Sequence, residues 1–446
     1  MTHQAADTIL ARLTARGLEG ELFTLESHSM QVLFEDQSLS YVKEGQNIGY
    51  YLRVKDAQSR VGETSFTRMT DADEVIDSAC TTAAFQKPAA IRFEQQGSLQ
   101  AEGYAFPAIE DLSAAQLIDT GRQIVAGLRA IHETIKGPIF LQKDSWQIKI
   151  KTTSGAERSS RKTLYSHEIE GKISREGDLL QINHMYGHAA ALPDIDTLLA
   201  SFAQDYTHSQ QTAAFSPGRY RVVLAPEVVE DLSRPLEAAF SGRNIEKKVS
   251  LLTEQMDRPI LDPRLTIADD PTLKQLEQAV PFDDEGVSAT PVTLVHRGVM
   301  SGMLLDKASA AALGASSNGR AFKRRPLLGG RTFRATVQPG LTNLTVSPGD
   351  TPERDMLMQP GKTIYIKSLM GTILGHHLDG VVSGNIWLGF LYENGECLGR
   401  IKDAIFNINI FDVLKERLAM IGDTLHTHRY IVTPMLVLED IPITSK

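Results

Sequence analysis

The chain is poor in the residues that build covalently or metal-knotted folds. Its 446 residues include two cysteines, Cys80 and Cys397. Two cannot make a disulfide framework or a multi-cysteine zinc site, and they read as free thiols in a reducing compartment. No apolar run approaches the ~20 residues that a membrane-spanning helix needs. The opening MTHQAADTILARLTARG lacks a basic stretch followed by an apolar core. It reads as an amphipathic helix through Ile9, Leu10 and Leu13 rather than a secretory signal. An excess of positive charge is also missing: the formal net charge is −9, which argues against a dedicated nucleic-acid binder. The expected setting is the cytoplasm, with neither membrane nor nucleic acid as a partner. There is no Walker A sequence, no GxGxxG opening a helix after a strand, and no GxSxG elbow.

Hydrophobic residues make up 42%, enough for a sizeable core, and the length suggests two or three domains. ELFTLES, MQVLFEDQSLSYVKEG, NIGYYLRVKD and RVGETSFTR alternate apolar and polar residues, with Gly45, Gly49 and Gly62 as punctuation. They predict an antiparallel meander with one wet face. Thr70 is expected to open a helix through Val75, Ile76 and Ala79, with Asp73 in the capping-box position. A second helix begins near Ser113 and carries Leu117, Ile124, Leu128 and Ile131. IFLQKD, WQIKIKTT and TLYSHEIEGKIS read as strands, with AERSSRK as an exposed hairpin tip, and Asp194 to Thr207 as a helix. The Pro-Gly turn in AFSPGRY, residues 214–220, divides the chain into 1–213 and 214–446. The second half is rich in β signals, among them Asn394-Gly395 of YENGE as a hairpin turn. Helices are expected near Lys307–Leu313 and Val413–Ile421. The fold class is α+β: an N-terminal α+β domain with an antiparallel sheet, then a mainly antiparallel β domain with flanking helices.

The stretch VVLAPEVVEDLSRPLEAAFSG, residues 222–242, predicts a strand, a turn at Ala225-Pro226, and a helix. That helix buries Val228, Val229, Leu232, Leu236 and Phe240 and contains Pro235. It offers no histidine, cysteine or lysine on its apolar side. Elsewhere, His132-Glu133 and His167-Glu168 lack the second histidine of a zincin, because Lys136 and Gly137, and Gly171 and Lys172, follow them. His184 and His188 are spaced for one face of a helix, although Gly187 weakens one. His376-His377 and the pair His426 and His428 are not. PFDDEG supplies Asp283, Asp284 and Glu285, which suit a cation, a peptide amino terminus or turn capping, with capping preferred. GRAFKRRPLLGGRTFR, residues 319–334, holds Arg320, Lys323, Arg324, Arg325, Arg331 and Arg334 without an acid. Such a patch suits a phosphate, a peptide carboxylate or an acidic partner, or is a solvated loop.

The order of these features resembles the TldD/PmbA family, once called modulators of DNA gyrase. The likeness runs through LRVKDAQSRVGETSFTRMTDADEVIDSA, RVVLAPEVVEDL, PFDDEGVSATPVTLVHRGVMSGMLLDKASAAALGASSNGR, WLGFLYENGE, IKDAIFNINIFDVLKERLAMIGD and TPMLVLEDIPI. It implies a cytosolic zinc-dependent peptidase acting on unfolded or modified peptides. TldD-type members carry HExxxH on the helix after the VVLAP-like strand; PmbA-type members lack it and pair with a TldD-type chain. With Gly242 matched to the glycine closing that helix, Ser233 and Ala238 fall at the histidine positions and Arg234 at the glutamate. No cysteine follows Cys397, where TldD-type chains place another ligand. The resemblance therefore implies a PmbA/TldE-type subunit with no cofactor on this chain and zinc on a TldD-type partner. Asp283, Asp284, Glu285, Arg320, Arg324 and Arg325 are its candidate substrate-binding residues. One departure is GHHLDGVVSGN, where the family is glycine- and serine-rich, which makes His376 and His377 alternative metal candidates. The competing readings are a self-sufficient metallopeptidase using those histidines, and a peptide-binding scaffold without catalysis. In isolation a homodimer is an alternative assembly.

Overall fold

The computed structural model describes residues 2–68, 71–175, 178–324 and 330–445. Thr70 and Arg325 lie outside the described residues. The fold is α+β. Strands β1 (Glu19–Glu35), β2 (Ser38–Lys55), β3 (Val61–Phe66), β4 (Gly97–Ala101), β5 (Ile139–Thr152), β6 (Ala156–Arg175) and β7 (Asp178–His188) form one sheet. Its order is β3-β2-β1-β5-β6-β4, with β7 also on β6. All pairings are antiparallel except that of β4 with β6. Helices α1 (Thr2–Ala15) and α2 (Ala72–Ala83) lay Ile9, Leu13, Ile76 and Ala79 on Leu22, Leu52 and Val54. After the short α3 (Pro107–Glu110), α4 (Ala114–Ile131) and α5 (Ile195–His208) cover the other end of the sheet.

These helices form where the sequence supplies both a cap and a stripe. Ser113 and Gln116 close a reciprocal capping box on α4, and Leu117, Ile124 and Leu128 are buried beneath it. Asp194 caps α5 by accepting from the Asp196 N–H. The cap of α2 is Asp71, which accepts from the Asp73 N–H, so Asp73 is a first-turn acid rather than the cap.

The meander has fewer breaks than its glycines suggested. Gly45 and Gly49 lie inside β2, and Gly62 inside β3. They mark close approaches: a Cβ on Gly49 would stand 2.1 Å from the Phe333 ring, and one on Gly62 1.9 Å from the Ala79 carbonyl oxygen. Because the Gly62 clash is with the backbone of α2, Gly62→Ala is expected to cost roughly 2–3 kcal/mol. Thermal unfolding checks this; an unchanged midpoint would refute the close packing of α2 on β3. Residues 139–152 are one strand, and the turn after it is at 153–155. AERSSRK thus belongs to β6, where it pairs with both β4 and β5.

The second half opens with β8 (Gly218–Leu224), α6 (Pro226–Phe240) and α7 (Gly242–Glu246). Strands β9 (Ile267–Asp269), β10 (Val292–His296) and β11 (Val299–Met300) precede α8 (Lys307–Ala312). Then come β12 (Ala321–Phe322), β13 (Gln338–Pro339), β14 (Leu344–Val346) and α9 (Glu353–Leu357). β15 (Lys362–Met370), β16 (Val381–Glu393), β17 (Glu396–Arg400) and β18 (Ala404–Asn409) lead to α10 (Ile410–Glu416). The chain ends with β19 (Leu418–Ile421), β20 (His426–His428), β21 (Ile431–Thr433) and β22 (Leu436–Ser445). The expected helix Val413–Ile421 is therefore shorter and earlier. Asn409 caps it by accepting from the Phe411 and Asp412 N–H groups, and 418–421 pairs with β22 instead.

The main C-terminal sheet runs β15-β8-β22-β18-β16-β17. Because β15 also pairs with β16, five of these strands close into a ring. A second sheet has the order β11-β10-β9-β14-β21-β20. Helix α6 packs Val228, Val229, Leu232, Leu236 and Phe240 into the core formed by these strands. The other face of β16 sends Leu388, Phe390 and Tyr392 into the core under α4 and α5. The N-terminal sheet and the C-terminal sheet therefore share a hydrophobic cluster, and a cleft opens beside it.

Candidate functional site

The strand–turn–helix unit forms as its sequence dictates. Ala225 is the N-cap of α6 and Pro226 takes the first helical turn, where a missing N–H costs nothing. Pro235 sits in the helix interior and supplies no N–H to the Asp231 carbonyl. Ser233 is 3% exposed; its hydroxyl donates to the Glu230 carbonyl at 2.6 Å and lies 3.3 Å from the Tyr430 hydroxyl. Arg234 is half-buried on the next position, and the Ala238 carbonyl accepts from Asn244 Nδ2. A committed hydroxyl, a guanidinium and a methyl group do not fit a zinc ion. Burial raises Asp231 to about 6, and its carboxylate accepts from the Thr372 hydroxyl at 2.6 Å.

His376 and His377 lie on the short turns that pack on α6. His376 is exposed, its Nδ1 4.0 Å from the Asp379 carboxylate. His377 Nε2 faces the Ile373 carbonyl at 3.3 Å, and burial lowers its pKa. Among the described residues, no three His, Cys, Asp or Glu side chains gather as a metal-binding group.

The acidic segment is buried and internally satisfied. One Asp283 oxygen accepts from the Glu285 and Val287 N–H groups and the other from Ala321. Asp284 accepts from the Lys323 N–H and pairs with Arg331 at 2.5 Å. Glu285 bonds Arg53 at 2.7 Å and caps α8 through the Lys307 N–H at 2.7 Å. Burial pushes Asp283 well up; burial also acts on Glu285, but Arg53 and Lys307 outweigh it and hold Glu285 down. Glu285 fastens the C-terminal half to β2, Asp283 and Asp284 tie segments of that half together, and all three are buried.

Much of the basic segment is likewise committed. Arg320 is fully buried, pairs with Asp269, and donates to the carbonyls of Asn318, Asp269 and Thr290. Lys323 is fully buried with its ammonium 3.7 Å from the centre of the Tyr51 ring, and burial lowers it to about 8. Arg324 is partly exposed, donating to the Leu341 carbonyl and lying 3.4 Å from Glu237 of α6.

The open concave feature lies elsewhere, between β7, α5, the start of α6, β15, β16 and β20. It has a volume of about 920 Å3, within the range of ligand-binding clefts. Its walls bring together His184 and His188 of β7, Glu227 of α6, Tyr365 and Lys367 of β15, and His428 of β20. The i,i+4 spacing of His184 and His188 is thus a strand spacing, which also puts both on one face. Behind them, Tyr165 Oη lies 3.3 Å from His167 Nδ1, and His167 Nε2 lies 3.0 Å from His184 Nδ1. Burial lowers His167 to about 3 and His184 to about 4, so both rings stay neutral. His188 Nδ1 accepts from the Ala190 and Ala191 N–H groups, which leaves its other nitrogen protonated. His428 is opposite in character: burial would lower it, but Glu230 at 3.1 Å more than compensates and raises it.

None of the sequence candidates lines this cleft, apart from the two histidine pairs at 184/188 and 426/428. The available signal was period two. His426 and His428 fail a helical test and pass a strand test.

Comparison with known proteins gives a consistent result. Residues 217–445 match the family described as the PmbA/TldA metallopeptidase C-terminal domain. The uncharacterized protein MJ0231 of Methanocaldococcus jannaschii is 23% identical over 91% of this chain and 92% of its own length. Metalloprotease PmbA of Escherichia coli O157:H7 is 24% identical over 61% of this chain and 57% of its own. The crystal structure of TldE from Thermococcus kodakarensis shares the fold. It superposes with a TM-score of 0.85 at 16% identity, covering 99% of this chain and 100% of that one.

Proposed function

The chain belongs to the PmbA/TldD metallopeptidase family, and from that premise we propose that it is the PmbA/TldE-type subunit of a cytoplasmic peptidase complex. Its partner is a TldD-type chain bearing HExxxH and zinc, and the complex processes unfolded or modified peptides. The observation that supports this reading is α6 itself: the helix is kept and packed, and Ser233, Arg234 and Ala238 stand on it where the family resemblance puts the motif positions. None of these can bind zinc or activate a water. This chain contributes peptide-holding surface, and the cleft beside α6 is the part of it with room for an extended segment.

The test is purification from native cells with mass spectrometry, followed by metal content and peptide hydrolysis for the chain alone and with its companion. A near-equimolar HExxxH chain, zinc confined to the complex, and hydrolysis only by the complex are expected. Stoichiometric zinc and hydrolysis by the isolated chain would instead favour a self-sufficient enzyme. Saturable peptide binding without turnover in any pairing would favour a peptide-binding scaffold.

A further inference from the structure

The charges around the cleft pair off with one exception. Lys367 Nζ lies 2.8 Å from both Asp205 oxygens. Arg429 holds Glu277 through two nitrogens, at 2.8 and 2.9 Å, and Glu230 through a third at 2.7 Å. The second Glu230 oxygen faces His428. His426 lies 2.8 Å from both oxygens of Glu353. At the rim, Asp194 is spent on capping α5 and Arg354 faces Asp355. Glu227 is the exception. It lines the cleft and, among the described residues, makes no hydrogen bond or ion pair; its Oε2 is covered by protein, so a ligand would meet the other oxygen, Oε1.

A carboxylate held at a cleft wall without a donor is costly to desolvate unless a cation completes it. No cation of the protein touches it: His428, which Glu227 helps Glu230 to raise, makes its close contact with Glu230, and Lys367 and Arg429 are paired with other acids. Of the cleft's permanent bases Lys367 and Arg429 are thereby occupied, and Arg354 stays exposed at the rim. The surrounding walls suit a positive group: Tyr186, Tyr365, Phe390 and Tyr392 are aromatic, and His184 and His188 are neutral imidazoles that do not repel it. The volume fits a short extended segment rather than a folded partner.

We propose that Glu227 is the anchor for a primary ammonium group of a bound peptide, either its free α-amino terminus or a lysine side chain. The inference rests on the peptide-holding role above and specifies what the cleft recognises. Glu227 acts as a counter-ion; no bond is made or broken there.

The experiment measures binding of three C-terminally labelled peptides of one sequence to the full chain by fluorescence anisotropy. One has a free amino terminus and no lysine, one is Nα-acetylated without lysine, and one is Nα-acetylated with a single lysine. A peptide carrying an amine is expected to bind about tenfold or more tightly than the fully blocked one, as for a charge-assisted hydrogen bond. The lysine arm identifies which amine is read. Glu227→Gln should abolish the preference and leave the blocked peptide's affinity unchanged. Equal binding of free and blocked peptides by the unaltered chain would overturn the proposal without relying on any variant's folding. So would a preference that survives Glu227→Gln, or no binding of any peptide. Failure of the subunit reading looks different: amine-selective binding would persist while no HExxxH partner is recovered.

Discussion

Arg320→Ala is expected to lower stability by roughly 3–5 kcal/mol, a large share of what a folded chain possesses. The guanidinium is fully buried, and each of its nitrogens has an oxygen partner. Nε meets the Asp269 carboxylate, Nη1 the Asn318 and Gly319 carbonyls, and Nη2 the Asp269 and Thr290 carbonyls. Removing it strands Asp269, itself fully buried, with only the Thr342 N–H and hydroxyl as donors. Burial already raises the Asp269 pKa while Arg320 opposes the rise, so the aspartate would next take up a proton. Lysine cannot rescue the site, because one ammonium does not reproduce a planar fork reaching oxygens of Asp269, Thr290, Asn318 and Gly319. Urea unfolding of Arg320→Ala, Arg320→Lys and Arg324→Ala separates this role from ligand binding. The two Arg320 variants should lose most of their folding margin, and Arg324→Ala, half-exposed and with one short contact, about 1 kcal/mol. A stable Arg320→Ala protein that merely binds peptide less well would refute the structural role.

That contrast shows what the sequence could and could not reveal. Elements with local causes were legible. Ser113 with its stripe to Leu128 specifies α4; Asn394-Gly395, both with positive φ, specifies the β16–β17 turn; and VVLAP followed by an apolar stripe specifies β8 and α6. The fate of a charged residue was not legible, because it depends on partners far along the chain. Arg53 is 232 positions from Glu285, and Arg320 is 51 from Asp269. Composition marked both segments as charged; only tertiary pairing decides that they are fastenings rather than surfaces. Strand continuity failed for a related reason. Gly45, Gly49 and Gly62 read as turn residues locally, whereas Gly49 and Gly62 are fixed by what crosses over them. The cleft was the least legible feature. It is assembled from residues near 186, 227, 366 and 428, and no short stretch contains more than a fragment of it. The partners of Ser233 and Ala238, namely Glu230, Tyr430 and Asn244, were likewise not legible.

Two buried imidazoles at the cleft wall, His167 and His184, should each contribute a loss of stability in mild acid. His167 and His184 have folded values of about 3 and about 4, both below the ~6.5 of an unhindered imidazole. Below pH ~6.5 the unfolded chain therefore binds protons that the folded chain refuses, and stability falls until each folded value is reached. At pH ~5 the deficit is roughly 2 kcal/mol for each ring taken alone, and less for the two together, since they share a contact at 3.0 Å. His428 has the opposite sign. Glu230 raises it, so its contribution is fully present below ~6.5 and is lost as pH rises through the folded value. Asp144 and Asp231 also oppose the two imidazoles: burial raises them to about 7 and about 6, so their folded forms take up protons first and gain stability as pH falls. Urea unfolding at pH 7.5 and pH 5.0 checks the sign. Between these two pH values the unaltered chain should shift by about 2–3 kcal/mol further in the destabilising direction than the His167→Gln/His184→Gln double variant, since the contributions of the buried carboxyls are common to both. Only the difference between the two pH values matters, so a general weakening of the variant does not obscure the answer. An identical loss in both proteins would remove the buried imidazoles as its source. The same arithmetic sets a condition on the cleft: its histidine wall stays uncharged down to the folded values of about 3 and about 4, so these rings should not oppose binding of a cationic group at pH ~5.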